Sequence, residues 1–210
     1  MALATRRTTI ILSPHPDDEV IRLAHYIAIA ADRGDKMILV QATDGSASAV
    51  ARTLGITPEE LAAFRYTEQN HAWDWLTNGQ GEIIRLGLKD GASRADAIYS
   101  GTRAVFGRSI PQGAELYVAT WHHDRETTTA ADKHADHVNC VLAGRRLAGD
   151  GVVVRYAMHP TVNTGGQRYL YRNVQQQVRV EGAVASYQPI GARSTKNLRL
   201  VMTNQNRVTS

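Results

Sequence analysis

Two clusters in the 210-residue sequence have residue types that can hold a cation and move a proton. The first is His15-Pro16-Asp17-Asp18-Glu19. The second is His122-His123-Asp124 followed, across a Thr-rich stretch, by His134-Ala135-Asp136-His137. Imidazole and carboxylate are zinc ligands, and a catalytic zinc keeps three protein ligands and one open position. His15 and Asp18 stand three residues apart where a strand hands over to a helix, so both can converge on one ion. One histidine of the second cluster would complete the triplet. Asp17 is then left beside the ion as a base for a water molecule. His122 and His123 are neighbours on a predicted strand and point opposite ways, so either is better placed to line a pocket than to bind the ion.

These clusters need a frame that brings them together, and the sequence between them describes one. Thr8 to Leu12 is a β-branched run closed by Ser13-Pro14, a buried strand. Asp18 to Arg33 carries Val20, Leu23, Ala24, Ile27, Ala28 and Ala31 at helical spacing and stops at Gly34. Met37 to Val40 predicts a second strand, Glu82 to Leu86 a third, Glu115 to Trp121 a fourth and Val152 to Tyr156 a fifth. Thr57-Pro58-Glu59-Glu60 opens a helix with a capping box and a proline at its first position, running to Leu76. Its apolar arc holds Leu61, Phe64, Ala72, Trp75 and Leu76, with Arg65 and Glu68 inside the same arc. Such charged residues pair with each other or serve a ligand. Ser93 is placed to cap a helix bearing Ile98, Tyr99, Thr102, Val105 and Phe106, and Asp136 to Ala148 forms another helix.

Strands alternating with helices require crossover connections. The fold class is therefore α/β, Rossmann-like, with a mainly parallel sheet and helices on both faces. Ligands of such sheets bind beyond the carboxyl ends of the strands, where strand order reverses. First and fourth strands meet at that point, so the two clusters face each other. Residues 1–158 form the α/β core of a single domain, and residues 159–210 a basic extension. Val178, Val180 and Leu198 to Met202 read there as antiparallel strands, making the tail β-rich.

Composition narrows the setting. With 43% hydrophobic and 21% charged residues the chain is no disordered segment, and its apolar runs are too short to span a membrane. Cys140 is the single cysteine, which excludes an internal disulfide and fits a reducing, cytoplasmic compartment. The charge is uneven: Arg155 to Ser210 holds eight basic residues against Glu181 alone. Arg168, Arg172, Arg179, Arg193 and Arg199 in that tail would favour an anionic substrate if they flank the pocket.

The segments SPHPDDE after the first strand, TDG after the second and HADH after the fourth resemble the PIG-L/LmbE-like family of zinc-dependent N-acetylglucosaminyl deacetylases. The likeness runs from Thr8 to Leu147. It implies hydrolysis of the acetamide of an N-acetylated amino sugar or its conjugate. It also implies one Zn2+, with Fe2+ as the alternative ion, held by His15, Asp18 and His137. Asp17 would be the general base, and His134 the general acid or oxyanion stabiliser, oriented by Asp136. The arginine matching Arg65 contacts sugar hydroxyls in the family, and Leu86-Gly87-Leu88-Lys89-Asp90-Gly91 resembles its Leu-Gly-x-x-Asp-Gly segment, so Arg65 and Asp90 are the substrate-binding candidates. The expected partner is a small amino-sugar conjugate, with no membrane insertion; a homo-oligomer is compatible with the sequence. Another metal-dependent amide or phosphate ester hydrolase is the alternative within enzymes. A metal-bound, nucleic-acid-binding domain is disfavoured, because a mere binder has no need of Asp17, His134 and Asp136.

Overall fold

The computed structural model describes residues 7–107, 109–110, 114–120, 134–158, 167–168, 174–187 and 207–209. Its elements in chain order are β1 (Thr8–Ser13), α1 (Asp18–Asp32), β2 (Lys36–Thr43), α2 (Val50–Leu54), α3 (Pro58–Thr77), β3 (Glu82–Leu88) and α4 (Ala95–Val105), then β4 (Glu115–Ala119), α5 (Ala135–Gly149), β5 (Val153–Met158), β6 (Gln167–Arg168), α6 (Val174–Ser186) and β7 (Arg207–Thr209). The sheet order is β3-β2-β1-β4-β5-β7-β6. The first five strands are parallel, while β7 runs antiparallel to β5 and β6 antiparallel to β7. Strand order reverses between β1 and β4, whose register pairs Ile10 with Leu116 and Leu12 with Val118.

Strands buried on both faces read as continuous apolar runs, and β1 shows how the two faces are served. Ile11 joins one core with α1, α3 and α6; Ile10 and Leu12 join the other with α4 and α5. Cys140 is a fully buried residue of that second core. His25 on α1 is buried and His71 on α3 is exposed. No helix among the described residues is long and apolar enough to cross a membrane.

Three local readings change. The alternation of Val178 and Val180 predicts a strand, but the chain there is helix α6. Its buried residues Gln176, Val180, Ala183 and Val184 recur at helical spacing, and Val178 is exposed. Leu198 to Met202 lies outside the described residues. The tail does add antiparallel strands at the sheet edge, β6 and β7, but at positions other than those expected. On α3 the buried stripe is Leu61, Arg65, Glu68, Gln69, Ala72, Trp73 and Leu76, while Phe64 (58% exposed) and Trp75 (48%) point outward. The inner face keeps Arg65 and Glu68 of the expected arc and adds Gln69 and Trp73. Finally, Arg94 occupies the N-cap of α4, and Ser93 is directed to the site described next.

Candidate metal centre and active site

The turn between β1 and α1 is held by its neighbours. Gln41 Nε2 donates to the carbonyls of Ser13 (3.2 Å) and Pro14 (3.0 Å), and Thr43 Oγ1 donates to Pro14 O at 2.8 Å. Within the turn Asp17 adopts φ 120°, ψ −26°, a region that non-glycine residues rarely occupy outside sites that fix them. Its amide donates to Glu19 Oε2 at 3.2 Å. Asp18, the first residue of α1, turns its carboxylate back to the His15 amide at 3.2 Å.

His15, Asp18 and His137 come together here. His15 Nδ1 lies 3.2 Å from Asp18 Oδ2, and His137 Nε2 lies 3.4 Å from the same oxygen. One ligand atom from each of the three residues falls within 4.8 Å of the other two. The donor set of two imidazoles and one carboxylate is that of a catalytic zinc, and iron(II) accepts the same donors. The other oxygen of Asp18 accepts from Arg22 Nε at 2.9 Å. Arg22 belongs to neither sequence cluster, yet an arginine four residues after Asp18 on an otherwise apolar helix face marks an ion pair.

The far side of His15 is equally committed. Its Nε2 lies 3.2 Å from Asp136 Oδ2 and 3.2 Å from Asp90 Oδ1. A metal-binding imidazole usually gives its second nitrogen to a carboxylate, which fixes its tautomer and ring plane. Asp136 is itself held by the Gly91 amide at 2.7 Å, the Ser93 amide at 3.2 Å and a short bond from Ser93 Oγ. The Asp136 carboxylate, expected to orient His134, lies against the His15 ring. Asp90 also accepts from the Ala47 amide at 2.8 Å, so this substrate-binding candidate lies beside His15, on the wall of the cleft.

Around this cluster opens a cleft of 530 Å³ lined by Asp17, Arg65, Asp90 and His134 together with His15, Asp18 and His137. Arg65 reaches it from α3, its Nη2 4.0 Å from Asp17 Oδ2. Gly45 of the TDG segment makes this possible. A Cβ at that position would collide with Arg65 Nη1, and its φ of +69° also favours glycine. His134 stands at the N-cap of α5, its ring centroid 5.6 Å from that of His137 and 6.0 Å from that of His15. His122, His123 and His159 lie outside the described residues. Of the tail arginines, Arg179 forms an ion pair with Asp32 and borders a separate groove between α3 and α6. Arg172, Arg193 and Arg199 lie outside the described residues, as does the side chain of Arg168.

The electrostatics separate the acidic groups. Burial raises Asp17, partly opposed by Arg65, and its pKa is pushed up to about 6. Burial acts the same way on Asp18, but the buried Arg22 guanidinium and the bond to His15 outweigh it and hold that carboxyl well below the usual range. Burial lowers His137 well below the ordinary imidazole value, which leaves it neutral and able to ligate. Two adjacent aspartates are thus held in different states, one charged and one poised near neutrality.

Glu68 is pushed further, to about 8, by burial that the Arg65 charge only partly offsets. The native protein then holds this proton more tightly than the unfolded chain, so stability falls as pH rises from 4.5 toward 8. Glu68→Gln should remove that part of the slope and stabilise the protein by on the order of 2 kcal/mol at a pH of about 8.5, with no gain at about pH 4. Urea unfolding of both proteins across this range checks it; parallel stability curves would show an ordinary Glu68.

The fold and site together define a class: a doubly wound α/β protein with a His/Asp cluster at its switch point that could hold a metal ion. The sequence profile of the PIG-L family, described as GlcNAc-PI de-N-acetylase, matches residues 10–148, and the chain belongs to that family. Among solved structures it is similar to the N,N'-diacetylchitobiose deacetylase from Pyrococcus horikoshii, with TM-score 0.67 and 17% identity over 98% of this chain and 84% of that one. A deacetylase–teicoplanin complex from the teicoplanin biosynthesis pathway matches with TM-score 0.68 and 14% identity over 96% of each chain. GalB, the 4-carboxy-2-hydroxymuconate hydratase from Pseudomonas putida, shares the fold with TM-score 0.63 and 16% identity over 94% of this chain and 83% of that one. No curated protein sequence matches the chain significantly.

Proposed function

We propose that the protein is a metal-dependent N-deacetylase acting on an N-acetylated amino sugar or a conjugate of one, releasing acetate and the free amine. The observation that carries this reading is the convergence of His15, Asp18 and His137 in a cleft that also holds Asp17 and Arg65. Membership of the PIG-L family supports the reaction class. Zn2+ is the proposed ion and Fe2+ the alternative. Bound there, it supplies Lewis acidity, acidifying water and polarising a carbonyl oxygen.

The chain's own groups do the rest. Asp17, with its pKa pushed up to about 6, takes a proton from water as the new C–O bond forms at the acetyl carbon. The amide C–N bond then breaks, and His134 delivers a proton to the departing nitrogen. Asp136 and Asp90 keep the His15 ring in place. Arg65, reaching into the cleft past Gly45, offers N–H donors to sugar hydroxyls.

The test is acetate release from a panel of N-acetylated amino sugars, neutral and phosphorylated, by purified zinc-loaded protein. Equal amounts of acetate and amine from at least one sugar are expected. Protein that binds one ion per chain yet releases no acetate from any of them would overturn the reading.

A further inference from the structure

Behind the cleft lies a buried carboxylate that the chemistry above does not use. Glu19 is fully buried on α1, and the groups around its side chain come from three parts of the chain. Oε2 accepts from the Asp17 amide at 3.2 Å and lies 3.4 Å from Ser13 Oγ, and Oε1 accepts a short hydrogen bond from the Tyr187 hydroxyl. Tyr187 is itself 2% exposed. It stands just past the end of α6, which packs on α1 and α3, and well outside residues 10–148 of the family match.

The geometry matters because of what Glu19 holds. Asp17 sits at φ 120°, a backbone conformation unfavourable for any residue with a Cβ. A strained residue persists where its surroundings over-determine it, and here the side-chain acceptor on the Asp17 amide is Glu19. No side-chain cap stabilises the start of α1 either. A carboxylate with two freely chosen rotamers would be a poor anchor, and a buried one needs donors on both oxygens. The Asp17 amide serves one oxygen, and Tyr187 serves the other, while the Ser13 hydroxyl proton goes to the His15 carbonyl at 2.8 Å.

We propose that Tyr187 is a positioning residue: through Glu19 it fixes the strained backbone of Asp17, so that α6 is a strut for the catalytic turn. This gives the C-terminal segment a role in the site without contact with substrate. The assignment of Asp17 as base rests on the function proposed above, whereas the strut itself rests only on the hydrogen-bonded chain. A positioning residue lowers turnover when its bond is cut, because a small displacement of the base is costly to a proton transfer, while ground-state binding through Arg65 is untouched.

Tyr187→Phe removes one oxygen atom and keeps the ring in its apolar surroundings. Two readouts on the full-length protein test it. In metal-free protein, amide exchange in a peptide covering residues 13–20 should speed up about tenfold, with the rest of α1 and β1 unchanged. In zinc-loaded protein, kcat on the best sugar of the panel should fall about tenfold, with KM and zinc stoichiometry unchanged. Glu19→Leu removes both acceptors and should reproduce both effects; it also carries the test should Tyr187→Phe fail to fold. Adding Tyr187→Phe to Glu19→Leu should change nothing further, since the chain is already broken. Faster exchange spread evenly over the whole protein, or an exchange rate at residues 13–20 equal to wild type, would overturn the proposal. If no sugar is turned over, the deacetylase reading fails, and the exchange measurement still decides the strut.

Discussion

Asp17→Asn should bind zinc as the wild type does and lose about 10²–10⁴-fold in kcat, the range a general base contributes. The loss follows from a single change, an acceptor of a proton replaced by an amide of the same size. The ion is expected to stay because the convergent donor atoms belong to His15, Asp18 and His137. Stability should move little, because two effects oppose each other. The variant sheds a buried carboxyl whose pKa is pushed up to about 6, and it also removes the anion 4.0 Å from the Arg65 guanidinium. KM should rise less than kcat falls, since the asparagine side chain still offers Arg65 a carbonyl oxygen. Zinc stoichiometry by elemental analysis and steady-state kinetics on one sugar decide the matter. A variant that loses its zinc would mean that ligand and base are exchanged between the two aspartates.

Much of this site is legible in the sequence because it is local. His15, Asp17 and Asp18 fall in one turn, and His134, Asp136 and His137 in another. The rule that places ligands at the carboxyl ends of strands beside the point of reversal then joins β1 to β4. What stays hidden depends on distant contacts or on polar residues facing inward. The arc of α3 places Arg65 and Glu68 on the inner side but is skewed by counting Phe64 and Trp75 as buried, and it misses Gln69 and Trp73, both buried. The α6 segment presents Val178 and Val180 two apart, a strand signal. Its real pattern is Gln176, Val180, Ala183, Val184 and, past the helix end, Tyr187, partly polar and hence weak to any hydrophobic count. Ser93 reads as a cap because serine before a helix usually is one. Its hydroxyl instead meets Asp136, forty-three positions away, which no local rule can anticipate. Asp90 follows its motif into the cleft, but its partner is His15.

Asp18→Ala should have two separable consequences, because each oxygen of this carboxylate has a different task. Oδ2 lies 3.2 Å from His15 and 3.4 Å from His137, the other two members of the proposed ligand set. Losing it should weaken zinc binding by more than about 100-fold, the most that loss of an outer-shell partner usually costs. Oδ1 accepts from Arg22 Nε at 2.9 Å, and Arg22 is only 2% exposed. Removing one partner of a buried ion pair costs about 3–5 kcal/mol, chiefly because the other charge stays behind in a poor solvent. The metal-free variant should therefore unfold at clearly lower urea concentration. The sign of its pH dependence is fixed as well. Asp18 is held well below its ordinary value of 3.8, so the stability it contributes is present above that pH and is lost as pH falls toward the folded value. The difference between wild type and variant should accordingly shrink in acid. Adding Arg22→Met removes the cation that faces Asp18 and should recover part of the stability, since the two changes share one interaction. Zinc binding should not return with it. Urea titrations in chelator, paired with calorimetric zinc titrations, measure the two consequences independently. Wild-type zinc affinity in Asp18→Ala would remove this residue from the ligand set, and equal stabilities of the single and double variants would show that Arg22 gains nothing from the pair.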